Sequence, residues 1–206
     1  MKAEFTFDPV CHEYRLRGVK LMSNTELLDR CGLTDYSMVP PEQRMKALAL
    51  GTAVHKATAM YDRNQNWRSF FRYNEEIIGY VEAWGNFKRE MKFKYQLIET
   101  PLLDPVYLLA TTPDRFGLSK YGWTTVQIKT GPVEDVVGLQ LSFEERVIRI
   151  SRGEPASDLI SSDRRFGVSL RPDGTYKTRR FSDPQDIRVF LGALALYRWK
   201  ESHGYK

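Results

Sequence analysis

The segment from residue 111 to residue 131 constrains the fold of this chain more than any other. It contains two runs typical of β-strands, Thr-Thr-Pro-Asp-Arg-Phe-Gly and Thr-Val-Gln-Ile-Lys-Thr-Gly, joined through a short polar turn. We therefore predict a hairpin of neighbouring strands. Gln127 and Lys129 are two positions apart, so their side chains leave the same face of the second strand. Asp114, on the first strand, can reach that face. An acid, an amide and a lysine on one sheet surface predict a metal-dependent hydrolytic site.

Three further polar residues can reach this surface. Gln140 lies on the otherwise apolar stripe of the next predicted helix, so its amide is expected to be buried and hydrogen-bonded. His55 follows Gly51 in a predicted helix that precedes the strands, and Glu99 ends its own predicted strand. The alternatives are a structural histidine, a surface turn acid at position 114 and a lysine whose ammonium reaches solvent.

The remaining pattern predicts an α/β fold in a single domain, residues 1–206. Helices are expected from Ser23 to about Arg30, from Pro41 to Tyr61, from Asn74 to Lys92, from Asp135 to Ile150, and after Pro184. Gly51 is either a break in the second helix or a close packing point. Hairpins are expected at Phe5–Phe7 with Tyr14–Arg17 and at Phe166–Leu170 with Tyr176–Phe181. The four runs Tyr95–Glu99, Val106–Ala110, Pro113–Leu118 and Trp123–Ile128 are expected to form a meander.

Composition excludes several classes of protein. With 42% hydrophobic residues and a mean hydropathy of −0.47, the chain is typical of globular proteins. No apolar run approaches the roughly 20 residues of a membrane span, so no membrane partner is expected. The first residues lack the apolar segment of a signal peptide, and we expect a cytoplasmic protein. Cys11 and Cys31 lie far apart, which supports neither zinc nor an iron–sulfur cluster.

The charge of the chain is compatible with nucleic acid. The formal net charge is +5 and the pI is about 9.1. Basic residues cluster at Arg164-Arg165 and along Lys177-Thr-Arg-Arg180. A solvated charged face is the commoner explanation of such clusters, so charge alone assigns no function.

The motifs, taken in order, resemble those of one superfamily. They are Gly51-Thr-Ala-Val-His55, Pro113-Asp114, Gln127-Ile-Lys129-Thr-Gly131 and Gln140. This set resembles the PD-(D/E)XK nucleases, and within them the RecB-like exonuclease branch that includes many phage-encoded nucleases. The segment from Phe7 to Thr25 also resembles phage members. The resemblance implies a restriction-endonuclease-like core, with a central mixed β-sheet flanked by helices, an N-terminal β-hairpin, and a C-terminal hairpin plus helix.

The resemblance also implies a role for each matched residue. Mg²⁺ or Mn²⁺, with neither zinc nor an iron–sulfur cluster, would be bound by His55, Asp114, Gln127 and the backbone carbonyl of Ile128, with Glu99 as a further candidate. Lys129 would orient the attacking water and stabilise the charge that develops on the phosphate. Gln140 would position the substrate or the lysine. The implied reaction is hydrolysis of a DNA phosphodiester bond by metal-activated water.

The implied partner is DNA, in the cytoplasm of a bacterial host cell if the chain is phage-encoded. A homo-oligomer or a phage recombination or replication protein is a further possible partner. Phosphate contacts are expected from Arg115, Thr130, Arg164, Arg165, Lys177, Arg179 and Arg180. The alternative function is a catalytically inactive or attenuated nuclease-fold protein that binds DNA or a protein partner.

Two residues depart from the superfamily pattern. Gln127 stands where an aspartate or glutamate is usual, which removes one negative charge. It is either tolerated, as in the Gln-x-Lys branches of Mrr-like and methylation-dependent nucleases, or the mark of an inactive protein, or an introduced substitution. Glu144 stands where the branch typically has tyrosine. It either supplies a carboxylate near the site or is exposed. If position 127 is a weakened ligand, Gln127→Glu is expected to raise metal affinity.

Overall fold

Strand and helix segments alternate along the chain and give it an α/β architecture. The computed structural model describes residues 4–34, 37–72, 74–154 and 164–205. Within these ranges it contains two mixed five-stranded sheets and six helices. The strands are β1 (Phe5–Asp8), β2 (Glu13–Leu16), β3 (Val19–Ser23), β4 (Lys94–Ile98), β5 (Leu102–Asp104), β6 (Leu109–Thr111), β7 (Arg115–Ser119), β8 (Gly122–Lys129), β9 (Arg165–Leu170) and β10 (Tyr176–Phe181). The helices are α1 (Asn24–Arg30), α2 (Pro41–Asp62), α3 (Trp67–Phe70), α4 (Glu75–Met91), α5 (Val136–Ser151) and α6 (Asp186–Ser202).

The first sheet contains the N-terminal strands in the order β1-β2-β3-β6-β5. The predicted N-terminal hairpin is confirmed, and β3 extends it by a third antiparallel strand. The predicted meander is wrong, because β6 leaves it to pair in parallel with β3. The physical reason is burial: Leu109 and Ala110 are almost fully enclosed in the apolar clusters around this sheet. β5, which the pattern did not predict, covers the other edge of β6.

The second sheet contains the predicted site strands, in the order β10-β9-β8-β7-β4. β7 and β8 form the predicted antiparallel hairpin. The predicted hairpin of β9 and β10 is also confirmed, and it belongs to this same sheet, because β9 pairs in parallel with β8. Val126 and Ile128 of β8 are fully buried against α2 and α4, in a core that includes Trp84 and Phe87. Val126 and Ile128 therefore anchor β8 in the core, and Gln127 and Lys129 alternate with them along the strand.

The helices follow their sequence signals. Ser23 caps α1, accepting a hydrogen bond from the backbone N–H of Glu26. The α2 helix runs through Gly51 without a break, and a Cβ added there would lie 4.0 Å from Thr130 Oγ1. This proximity brings the middle of α2 to the end of β8. No helix among the described residues is both long and apolar enough to cross a membrane.

Candidate functional site

Asp114 lies at the entrance to β7 and is tied to β8. The sequence predicted that Asp114 lies within the strand, but in the structure it directly precedes the strand. The last paired residues are Arg115 and Val126, so Asp114 and Gln127 are the next positions on the two strands. The Asp114 Oδ2 atom accepts a hydrogen bond of 2.6 Å from the backbone N–H of Ile128. The carboxylate is therefore fixed beside the strand segment that carries Gln127.

His55 joins Asp114 to Glu99. Its Nδ1 atom lies 3.4 Å from Asp114 Oδ1 and 3.6 Å from Glu99 Oε1. Burial lowers the pKa of His55, but the two negative charges outweigh it, so the pKa is raised above its ordinary value. Glu99 has a φ of 43°, a left-handed conformation that turns it away from the end of β4. A histidine of α2 therefore meets two acids, one directly after β4 and one directly before β7.

Glu99 carries an unpaired buried oxygen at this point. Within the described residues its Oε1 atom has no hydrogen-bond donor, although Arg115 Nη1 is 3.5 Å away. Burial raises the pKa of Glu99, whereas its interaction with His55 and the charge of Arg115 lower it, with a net decrease. Glu99 is therefore a carboxylate at neutral pH, and in the part of the chain described its Oε1 atom has only these longer contacts to His55 and Arg115.

The donors at this point fit Mg²⁺ or Mn²⁺ in their chemistry. Carboxylate and carbonyl oxygens, which Asp114, Glu99 and the backbone of Ile128 can supply, suit both ions. The unpaired Glu99 Oε1 and the approach of Asp114 and Glu99 to the same His55 nitrogen support this fit. In the part of the chain described, however, no three His, Cys, Asp or Glu side chains form a ready-made metal cluster. Binding would require these side chains to adjust around the ion.

Gln127 and Gln140 converge on Glu144, which the sequence analysis left as either close to the site or exposed. The Gln127 Nε2 atom donates to Glu144 Oε1 at 2.8 Å and to Oε2 at 3.0 Å. Gln140 Nε2, one turn earlier on α5, donates to Oε1 at 3.0 Å. Glu144 is fully buried, so the alternative of an exposed surface acid is wrong. A carboxylate does lie beside position 127, on α5 instead of on β8.

Glu144 is held by neutral groups. Asn24 and Thr111 also donate to its Oε1 atom, over longer distances of 3.4 Å and 3.5 Å. No ion pair to Glu144 is formed within the described ranges. Burial and the nearby charge of Asp114 raise the pKa of Glu144 to about 7, against the opposing effects of the two glutamines and Lys129. Ionisable groups whose pKa values are shifted by burial and a neighbouring charge cluster at functional sites.

Lys129 lies at the end of β8, half-buried. Its charge lowers the pKa values of both His55 and Glu144, so it is close to both groups of polar residues. Gln127 and Lys129 leave the same strand face, as the sequence predicted. The half-buried Thr130 follows at the point closest to Gly51. All the predicted catalytic and metal-binding residues thus gather at one end of β8.

Two predicted phosphate contacts are wrong in this conformation. Arg115 is fully buried; its Nε atom lies 2.6 Å from Asp62 Oδ2, and its Nη1 atom donates to the Asp114 carbonyl at 2.6 Å. Arg165 is equally buried, with Nη2 2.8 Å from the Asp183 carbonyl and 3.1 Å from Asp186 Oδ2. Both guanidinium groups serve internal acceptors, so neither is available to a DNA phosphate.

The other predicted phosphate contacts lie at the surface of the second sheet. Lys177, Arg179 and Arg180 are exposed on β10, and Arg164 is exposed before β9. Arg179 forms an ion pair with Asp135 and donates to the Val133 carbonyl at 3.2 Å. Their contact with DNA, and that of Thr130, remains a prediction.

Three polar residues around the site escaped the sequence analysis. Asn24, at the start of α1, and Thr111, at the end of β6, contact Glu144, and Asp62 holds Arg115 behind the site. Neither Asn24 nor Thr111 has a local signal, since their contacts depend on the parallel pairing of β3 with β6. Asp62 lies one turn after the buried Thr58, and this helical spacing is the one signal that could have indicated its burial.

Neither a scan against models of protein families nor a search among curated proteins gives a match. Function must therefore be argued from the residues of the site.

Proposed function

We propose that this protein is a Mg²⁺- or Mn²⁺-dependent deoxyribonuclease with a restriction-endonuclease-like core. The observation that carries the proposal is the meeting of His55, Glu99 and Asp114 at one end of β8, beside Lys129. These residues come from separate segments, and their order along the chain resembles that of RecB-like exonucleases. The resemblance makes DNA ends the expected substrate.

Each residue would have a definite task in phosphodiester hydrolysis. His55, Asp114, Gln127 and the Ile128 carbonyl would hold the ion, with Glu99 as the additional acid. A bound divalent ion supplies an activated water and neutralises phosphate oxygens. The Lys129 ammonium would stabilise the negative charge that develops on the phosphate in the transition state. Gln140 contacts Glu144 and would act through that residue.

The second candidate is a nuclease-fold protein that binds DNA or a protein without cutting. One observation favours it: Gln127 is neutral, and its Nε2 atom is bonded to Glu144. An amide oxygen binds Mg²⁺ less strongly than a carboxylate, because it brings no charge to the ion. This candidate predicts DNA binding that weakens with salt and does not depend on Asp114.

The experiment is a nuclease assay with Mg²⁺ and with Mn²⁺ on linear duplex, closed circular and single-stranded DNA. We expect the wild type to degrade linear DNA, and Asp114→Ala to lower the rate by about a hundredfold or more, because the fixed ligand is lost. Asp29→Ala, which removes an exposed aspartate on α1, is the matched control. If wild type and Asp114→Ala behave alike on every substrate, the enzyme proposal is wrong. Salt-sensitive DNA binding without cleavage would then support the second candidate.

A further inference from the structure

One buried carboxylate receives two glutamine side chains from different elements. Gln127 reaches Glu144 from β8, and Gln140 reaches it from within α5. Both amides are at least nine-tenths buried, and Glu144 is completely buried. The site therefore contains a closed polar network in which each group constrains the others.

The charge of Glu144 decides which end of the Gln127 amide faces it. A carboxylate only accepts hydrogen bonds, whereas a primary amide has one donating end and one accepting end. Gln127 Nε2 approaches both carboxylate oxygens, at 2.8 Å and 3.0 Å. The Gln127 side-chain oxygen is therefore turned away from Glu144. Without a carboxylate at position 144, the two ends of the amide would be nearly equivalent.

The carboxylate itself is also held from α1 and from the first sheet. Asn24 and Thr111 approach the same Oε1 atom that receives both glutamines. Asn24 directly follows β3, and Thr111 is the last residue of β6. These two strands pair in parallel and contact α1, which in turn contacts α5. The two sheets thus share one acceptor, and Glu144 cannot turn without breaking several hydrogen bonds.

Gln127 is next to the residues proposed to bind the metal ion. It is the position opposite Asp114 when the register of β7 and β8 is continued by one residue. It also shares a strand face with Lys129. Resting on the proposed function, we propose that Glu144 is a positioning residue, which holds the NH₂ group of Gln127 and so presents the Gln127 oxygen as a neutral ligand for the divalent cation.

This pairing changes what is expected of Gln127→Glu. The sequence alone led us to expect tighter metal binding, because the usual acid is restored. In the structure the new carboxylate would lie against Glu144, and two buried like charges in contact are unfavourable. Gln127→Glu combined with Glu144→Gln exchanges the two side chains. An amide at position 144 then donates to a carboxylate at position 127, so the hydrogen bond is kept. The exchanged protein is therefore expected to tolerate the strand carboxylate that the single variant does not.

The experiment measures Mn²⁺ binding by calorimetry at about pH 8, and melting temperature in EDTA, for the two single variants and the exchanged protein. We expect Glu144→Gln to weaken Mn²⁺ binding by about tenfold without lowering the melting temperature, a combination that a merely structural role does not give. We expect Gln127→Glu alone to lower the melting temperature by about 5 °C or more, and the exchange to restore it. The exchanged protein should bind Mn²⁺ at least as tightly as the wild type. Glu134→Gln, an exposed acid before α5, is the matched control for charge.

The outcomes separate this inference from the proposed function. If the wild type binds Mn²⁺ no better than Asp114→Ala, the proposed metal site is wrong, and the role of Glu144 is wrong with it. If the wild type binds Mn²⁺ and Glu144→Gln binds it equally well, only the positioning role is overturned. If Glu144→Gln abolishes binding and the exchange does not restore it, Glu144 is itself a ligand. Additive effects of the two single changes on melting temperature would show that the side chains do not act as a pair.

Discussion

Asp62 and Glu144 are both buried carboxylates, and they differ in what surrounds them. Asp62 is paired with two cations, Arg115 Nε at 2.6 Å and Lys88 Nζ at 2.5 Å, and it also accepts from the indole N–H of Trp84. Glu144 is surrounded by amides and a hydroxyl, with no cation in contact within the described residues. Asp62 therefore belongs to a structural ion pair, whereas the charge of Glu144 does not balance any contacting cation in the described part of the chain.

The comparison separates a carboxylate that stabilises the fold from one that is a candidate for function. Replacing either carboxylate removes one negative charge from the interior, but the two losses should have opposite effects on stability. Loss of Asp62 deprives the fully buried Arg115 of its closest carboxylate, which is costly. Loss of Glu144 removes a charge that burial already disfavours, so the folded state should gain.

The largest expected effect is that of Asp62→Asn. We expect the free energy of unfolding to fall by about 3–5 kcal/mol, because the fully buried Arg115 loses its closest carboxylate. Denaturant unfolding followed by circular dichroism measures this change. Glu42→Gln, an exposed acid on the same helix that pairs with Lys46, should change little. Similar small losses for the two variants would contradict the structural role of Asp62.

A second prediction concerns the pH dependence of Glu144. Burial raises the folded-state pKa of Glu144 from 4.5 to about 7, so the folded protein binds this proton more tightly than the unfolded chain does. Stability from this group is greatest at low pH and decreases as the pH rises from the ordinary pKa to about 7. Without metal, Glu144→Gln should melt near the wild-type temperature at about pH 5 and on the order of 5 °C higher at about pH 8.

Melting curves in EDTA across this pH range provide the test. The control is Glu134→Gln, whose curve should run parallel to that of the wild type. A constant difference between Glu144→Gln and wild type at every pH would show that Glu144 does not titrate between the two ends of the range.

A smaller effect is expected from Lys88→Met. The long apolar stem is kept while the charge is lost, and Asp62 retains Arg115 as its cation. We expect a loss of about 1.5 kcal/mol in the free energy of unfolding, the contribution of one hydrogen bond to a charged group. A loss as large as that of Asp62→Asn would mean that Lys88, and not Arg115, is the principal partner of the carboxylate.

The smallest effect is expected at the exposed cations. Lys177→Ala should leave the melting temperature unchanged and reduce the salt dependence of DNA binding by about one phosphate contact. Fluorescence anisotropy with a labelled duplex at several salt concentrations measures this slope. Lys20→Ala, an exposed lysine of the first sheet, is the control. Equal slopes for wild type and Lys177→Ala would show that Lys177 does not contact a DNA phosphate.

Local patterns predicted much of the secondary structure and which polar residues come together at the candidate site. Period-two alternation predicted the hairpins of β1 with β2, β7 with β8, and β9 with β10, because each joins neighbouring segments through a short turn. The spacing of Gln127 and Lys129 predicted their common face. Pairings between distant segments could not be predicted in this way. The parallel contact of β3 with β6 depends on which buried surfaces meet, and neither segment encodes its partner.

The sequence by itself determined which residues could form a site, since strand and helix periodicity fix the direction of each side chain. Only the tertiary structure decided what each residue does there. It buried Arg115 and Arg165 among internal acceptors, although an arginine in sequence is equally suited to solvent, carboxylate or phosphate. It also buried Glu144 beside Gln127, whereas the sequence left open whether this residue is exposed. The physical reason is that a polar group's role depends on the partners that packing brings within hydrogen-bond distance, and these partners come from remote parts of the chain.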